Sequence, residues 1–328
     1  MELASRWGNE ALFTWCDPER TYTDRMETFG QERTPLQGVR DFLDRHFALT
    51  CILPTMILVF GLILVPIYLV FYESVFLDTP GQFRFVGLKH YVRIFQNPDF
   101  WRYLYHTVQY SGFSSLFSFL FGLILALSLN QKIRFPNFFR VWVLLPWAIP
   151  PVVAAFMFKW FFNDIYGAAN DLLMKLGIIQ KQVTWLASKT FAMPILIGVD
   201  SWIRIPFVTI ILLAGLQAIP KDLYDAAKID GAGTLNLFRN ITWPYLKGPL
   251  LVAMVIVTAF SFRFVDIMMA LTGGGPGDET MLFAVDIYKS AFLRLRFGYS
   301  AAEGVVMLAM IVVIILAYTY FLKSEVEE

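Results

Sequence analysis

Four ionisable side chains stand inside segments that otherwise run apolar: Asp200 and Arg204 in "PILIGVDSWIRIPFVTIILLAGL", and Arg263 and Asp266 in "VTAFSFRFVDIMMAL". An unpaired charge at the centre of a bilayer costs about 2.5–3.5 kcal/mol on insertion scales, so each needs a partner or water. Asp200 and Arg204 are i, i+4, and Arg263 and Asp266 are i, i+3. On a helix each pair shares a face and neutralises locally. Two uses of such pairs stand side by side: structural glue between helices, or the lining of a hydrated path for a solute. Prolines and aromatic residues favour the path. Pro206 follows Arg204 and is expected to break that segment, Pro150 and Pro151 interrupt another, and Trp147, Trp202 and Phe207 accompany both. Proline removes a backbone donor, which is tolerated at membrane depth where protein or a water-filled cavity satisfies the freed groups. Aromatic faces beside charged groups suit a carbohydrate, whose C–H surface stacks on a ring while its hydroxyls take hydrogen bonds.

Other chemistries find no constellation. His46, His90 and His106 are scattered without Cys or carboxylate at metal-ligand spacing, so surface or interfacial histidines are expected and no metal site. Cys16 and Cys51 form no disulfide framework and read as free thiols. No Ser-His, Cys-His or paired-carboxylate arrangement points to an enzyme. The run "GGGPGDET" lacks the Lys-Ser/Thr of a phosphate-binding loop and reads as an outer turn. Lys159 is expected to reach its ammonium to the outer interface.

The elements that must position these residues are membrane helices. The chain of 328 residues is 57% hydrophobic and only 16% charged, with a mean hydropathy of +0.57, far from a soluble average. Its net charge of +1 gives no basic surplus for nucleic acid. Six segments, about 47–72, 107–130, 141–162, 191–213, 249–271 and 304–322, reach or approach the roughly 20 apolar residues that span a bilayer. The architecture expected is all-α and polytopic, with a polar tail at 1–46, a transmembrane domain at 47–322 and a short tail at 323–328. The first tail has no apolar stretch of the secretory-signal kind. With both termini inside, inner segments hold fourteen Lys/Arg against ten outside, which sets the orientation as cytoplasmic termini. Between the first two spans, Gly87–Val108 repeats apolar residues near helical spacing, as an amphipathic helix on the outer face or an ordinary packed loop would.

One polar connection is unusually ordered: "DLYDAAKIDGAGTLNLFRNITWPYLKGP", residues 222–249. It reads as a helix over 221–230, a turn at Gly231 and Gly233, and a second helix over 235–241 that stops before Pro244. Ala226 and Ala227 leave a face without bulk, flanked by Asp225 and Lys228. That face would admit a docking partner, or the segment is a plain surface hairpin.

The spacing in "DAAKIDGAGTLNLFRNITWP" resembles the EAA loop of binding-protein-dependent ABC importers, with Asp225, Ala226, Ala227, Gly231, Ile241 and Pro244 in register. Asp225 stands where that family usually has Glu, and Trp243 where it has Leu. Three further stretches, "FVGLKHYVRIFQNPDFWRYLYHTV", "LLPWAIPPVVAAFMFKWFF" and "LTGGGPGDETMLFAVDIYKSAF", resemble its carbohydrate-uptake, maltose-type branch. The resemblance implies a type I ABC importer permease fold in a cytoplasmic (inner) membrane, surrounded by lipid. It implies a sugar permease working with a second, different permease, two ATP-binding subunits and an extracellular solute-binding protein. The permease itself would bind no cofactor, since ATP and Mg²⁺ are held by the ATPase. Positions resembling the family's solute site are Trp147, Pro151, Asp200, Ile203, Arg204, Phe207, Phe260, Ser261 and Phe264. Charges and aromatics replace small or amide residues at several of these, so the solute stays open between a di- or oligosaccharide and glycerol 3-phosphate or another polyol. An ion-coupled carrier using Asp200 and Asp266 is the alternative of another class, and it gives the loop at 222–249 no task.

Overall fold

The computed structural model describes residues 47–76, 84–131 and 134–323. The expected tails, with Cys16 and His46, lie outside the described residues, as do parts of two loops. Two compact units divide at Ile67 and Tyr68. The described part of the first unit is the helix that begins at Phe47. All regular structure described is helical, and five helices are long and apolar enough to cross a membrane, or six if one bent pair counts as a span.

Helix α1 (Phe47–Glu73) carries Pro54 and Pro66 within it. Short α2 (Lys89–Gln96) buries His90 and Ile94, and α3 (Pro98–Leu129) follows after a single residue. The amphipathic stretch of 87–108 is therefore split: its second half opens a membrane-length helix. Pro98 is the cause, because it lacks an N–H and drives Asn97 to an extended conformation (φ −78°, ψ 119°). Asn97 then caps α3 by accepting from the Asp99 N–H at 3.1 Å.

Helices α4 (Pro136–Ala148) and α5 (Pro151–Phe161) meet at 91°. Each residue before a proline is extended here, Ile149 at ψ 127° and Pro150 at ψ 134°, so the corner is written into the Ile-Pro-Pro sequence. After α6 (Ala168–Lys175), the connection folds around Asn170, whose amide bonds the backbone of Asp164 and Val183 and the Trp185 indole. Helix α7 (Ala192–Gln217) passes through Pro206 without a break, contrary to expectation. Thr209 and Ser201 hydroxyls bond the carbonyls of Ile205 and Ile197 in the neighbouring turns, and Pro206 is buried against the packed bundle.

Helix α8 (Lys221–Ile229) leads through Gly231 to α9 (Thr234–Leu237). A π turn at Phe238–Thr242 then joins α9 to α10 (Trp243–Phe262), so that one rod runs from Thr234 to Phe262. Pro244 therefore does not stop the second helix of the hairpin. It sits in the first turn of α10, where its missing N–H is tolerated. The fifth span ends at Phe262, nine residues before the expected limit at Leu271, and α11 (Asp266–Leu271) is separate. Beyond the Gly273–Gly277 turn come α12 (Phe283–Tyr288), a second π turn (Lys289–Leu293) and α13 (Phe297–Lys323).

The bundle is organised by α3 and α7. On α3, Ser111, Ser114, Ser115, Ser118, Gly122 and Ala126 are buried, a stripe of small residues that lets two backbones approach as membrane helices do. A Cβ on Gly122 would stand 2.8 Å from Val208 Cγ1. One apolar cluster gathers Ile94, Tyr110, Leu196, Ile267 and Phe283, and a second gathers Ala126, Val208, Leu212, Leu246 and Val257.

Candidate functional site

A cavity of about 580 Å³ opens where the α4–α5 corner faces α7 and α10. Trp147, Ile149 and Pro151 come from the corner, Ile203, Arg204 and Phe207 from α7, and Ile256, Val257 and Phe260 from α10, with Phe264 just beyond it. The corner matters because the right-angle bend takes α5 away from α4 and leaves Trp147 exposed. Of the expected solute positions, Trp147, Pro151, Ile203, Arg204, Phe207, Phe260 and Phe264 meet around this space. Ile149, Ile256 and Val257 join the wall unforeseen. The sequence signals are helical spacing from Phe260 for Ile256 and Val257, and the Ile-Pro-Pro corner for Ile149. Trp202 turns instead to α5, where it meets the Phe158 ring edge-on at 5.2 Å.

Asp200 and Ser261 lie behind the wall. The Asp200 carboxylate is fully buried and accepts from Arg204 Nε (2.8 Å), Ser261 Oγ (2.8 Å) and the Ser114 hydroxyl. It thus fastens α3, α7 and α10 at one point. Ser114 was not among the expected residues; the four-residue spacing of serine, glycine and alanine along α3 is the trace that marks its face. Arg204 spends only Nε on Asp200 and lays its guanidinium over Phe264 (5.0 Å) and Phe260 (5.8 Å). Arg204 is also part of the cavity wall. Ser115 continues the polar seam to Thr258 at 3.0 Å, and Thr258 to Tyr318 at 3.3 Å.

Arg263 and Asp266 do not pair. α10 ends at Phe262, just before Arg263, and α11 begins at Asp266, so the i, i+3 relation places them on no common face, and both are exposed. Arg263 stacks on Phe260 at 4.9 Å and lines an adjoining cavity of about 560 Å³ between α10 and α13. His90 and His106 also depart from expectation. Both are buried, and each sits within hydrogen-bond distance of a backbone carbonyl, Phe76 O at 2.7 Å and Met281 O at 3.3 Å. Lys159 is exposed, but its ammonium donates to the Ala270 carbonyl at 2.9 Å and so ties α5 to α11. Among the described residues no group of three or more His, Cys, Asp or Glu could hold a metal.

The hairpin of α8 and α9 stands exposed. Gly231 turns it at φ +81°, a conformation that a side chain strains, and the Ala227 carbonyl takes the Ala232 N–H at 2.9 Å across the turn. Asp225 and Ala226 are exposed, and Ile229 and Leu235 are 87% and 78% exposed on the same hairpin. Ile241 and Pro244 lie on the rod of α9 and α10 instead, Ile241 packed with the second apolar cluster. Tyr224 reaches across to Thr242 at 2.9 Å and fixes α8 to the π turn.

Membrane-length helices around an aromatic cavity, with a small-residue helical hairpin projecting from one rod, make up the membrane subunit of a transporter. A profile of the family described as the binding-protein-dependent transport system inner membrane component matches residues 118–325, and the chain belongs to that family. The trehalose/maltose transport system permease protein MalF of Thermococcus litoralis is 36% identical over 272 residues, 82% of this chain and 90% of that protein. The sulfoquinovosyl glycerol transport system permease protein SmoG of Agrobacterium fabrum is 33% identical over 288 residues, 87% of this chain and 93% of that protein. A chain of a bacterial ABC transporter involved in the import of the acidic polysaccharide alginate shares the fold, with TM-score 0.75 and 24% identity over 87% of this chain and 98% of its own. The type I ABC importer permease fold is thereby established. These relatives favour neither the ion-coupled carrier nor the glycerol 3-phosphate reading.

Proposed function

We propose that this chain is one of two permease subunits enclosing the path of an ATP-driven importer for a di- or oligosaccharide. The observation that carries the reading is the junction of an aromatic cavity and an exposed docking hairpin on one helical rod. The maltose, sulfoquinovosyl glycerol and alginate systems named above handle sugars, which supports the same solute class. In this reading a second, different permease completes the cavity and an extracellular binding protein delivers the solute. Two ATPase subunits, which hold ATP and Mg²⁺, dock on Asp225, Ala226, Ala227 and Gly231. Both termini are cytoplasmic. ATP-driven closure moves the hairpin and switches access to the cavity from one side to the other. Trp147, Phe207 and Phe260 offer ring faces to the sugar, and Arg204 offers charged donors to its oxygens.

The test is to express the complete importer, reconstitute it in nanodiscs and measure ATP hydrolysis against a panel of sugars presented with the binding protein. Sugar-stimulated hydrolysis that is lost in Gly231→Asp, with this chain still inserted, is expected. Import that persists without any ATPase subunit would overturn the proposal.

A further inference from the structure

Resting on the sugar-permease reading, we propose that the imported saccharide is acidic, bearing a carboxylate or sulfonate that Arg263 reads, with Arg204 in the adjoining cavity meeting the oxygens of the sugar body. Two guanidinium groups stack on one ring, Phe260, which belongs to the walls of both adjoining cavities. Arg204 is halfway along α7, and Arg263 stacks on the same ring from the end of α10. Arg204 is balanced by Asp200. Arg263 has no carboxylate within ion-pair distance among the described residues, and a lone cation at membrane depth costs about 2.5–3.5 kcal/mol. Asp266, three residues on, is exposed and makes no ion pair with it among the described residues, and neither cavity wall carries a carboxylate to balance Arg263.

The hydrogen-bonding character of the wall points the same way. Among the described residues, the polar side chains lining the two cavities are Arg204, Arg263 and the Trp147 indole, all donors without an acceptor. The acceptors nearby are withdrawn: Asp200 is sealed, and the Ser114 and Ser261 hydroxyls donate to it. A neutral sugar hydroxyl both gives and takes hydrogen bonds, and an all-donor wall leaves its protons unmatched. A carboxylate or sulfonate only accepts, and planar guanidinium forks bind such groups in pairs of parallel bonds. The rings of Trp147 and Phe207 then hold the sugar body, with the acid directed past Phe260 to Arg263.

The experiment uses the reconstituted complete importer in proteoliposomes, supplied with labelled trigalacturonate and labelled maltotriose as acidic and neutral probes of one length, beside a wider panel of neutral sugars. Uptake of the acidic probe, cut about tenfold or more by Arg263→Gln and partly kept by Arg263→Lys, is the expected result. Uptake confined to neutral sugars overturns the acid assignment and leaves the sugar permease standing. Acidic uptake unchanged in Arg263→Gln does the same. Failure of Arg263→Gln to assemble with the other subunits, where Arg263→Lys assembles, assigns the charge to a partner carboxylate and also overturns it. Import of no sugar of either kind removes the sugar reading and this inference with it.

Discussion

Removing Arg204 should be far more damaging than removing Arg204 and Asp200 together. Asp200 has no solvent exposure and three donors, of which Arg204 Nε at 2.8 Å is the only charged one. Arg204→Ala leaves a buried carboxylate on two hydroxyls, and breaking a buried pair from one side costs about 3–5 kcal/mol. Ser261→Ala leaves the ion pair intact and removes one bond to a charged group, about 1.5–3 kcal/mol. The double change Asp200→Asn with Arg204→Gln eliminates both charges, keeps two amides that can bond each other and the serines, and should cost about 1 kcal/mol. The non-additivity is then several kcal/mol, as expected for residues in one network. Melting of the purified importer, followed by size-exclusion of the surviving complex, should rank Arg204→Ala lowest, Ser261→Ala next and the double variant nearest the parent. A double variant that melts below Arg204→Ala, or Arg204→Ala that melts with Ser261→Ala, would refute the sealed-charge argument. The double variant also separates stability from transport: it should assemble and lose most sugar uptake, because the cavity has lost its charged donor.

Three further outcomes follow from particular contacts. Gly122→Ala puts a Cβ 2.8 Å from Val208 Cγ1 and 2.9 Å from Val208 Cβ and should destabilise the α3–α7 pair by about 1–3 kcal/mol; Val208→Ala keeps its Cβ and should not restore the melting temperature, whereas Val208→Gly should recover part of it. Thr107→Val strips the buried Phe283 N–H of its acceptor at 2.9 Å, so hydrogen exchange at the start of α12 should accelerate while the remaining helices keep their protection. Deleting Asn240 takes the extra residue out of the π turn Phe238–Thr242, closes it to regular α-helix and disturbs the Tyr224–Thr242 bond that fixes the hairpin; ATPase co-purification or sugar-stimulated hydrolysis should fall with the cavity intact, and unchanged coupling would refute the rod argument.

The helical class and the existence of the spans were legible because runs of apolar residues near bilayer length have few other homes. Their ends were not, because a membrane helix continues past the bilayer wherever its polar turns find caps or packing. Pro98 with Asn97 starts α3 nine residues before the expected 107, and the π turn carries α10 back to Thr234. Proline was the ambiguous letter. At Ile149-Pro150-Pro151 two successive residues precede proline, both are forced extended, and a 91° corner results. At Pro206 a single ring sits within a helix packed on both sides, and tertiary contact overrides the missing N–H. The pairing of Asp200 with Arg204 could be read from i, i+4 spacing, but the third and fourth members of that network, Ser114 and Ser261, come from helices far away in the chain. Arg263 and Asp266 show the converse: the spacing was right for a helix, and the helix had ended.

The arrangement of rigid and broken elements makes sense of which parts carry the solute and which carry force. Around Asp200 the α3–α7–α10 seam is sealed by charge, hydroxyl pairs and small-residue contact, all of which resist sliding. The cavity instead lies where helices bend or stop, at the α4–α5 corner and at the end of α10, so its walls can change shape without breaking the seam. The rod from Thr234 to Phe262 belongs to both regimes. Its 29 residues span roughly 43 Å at 1.5 Å per residue, from the docking hairpin to Phe260 and Arg263. In the proposed importer, a displacement of the hairpin therefore reaches the cavity wall through one continuous helix. The Tyr224–Thr242 bond at 2.9 Å locks the hairpin to that helix at the π turn, where a backbone with one extra residue is easiest to deform. In that proposal, force enters at α8, passes that bond and arrives beside the Phe260 ring on which both arginines stack, so solute recognition and ATPase leverage fall at opposite ends of the same element.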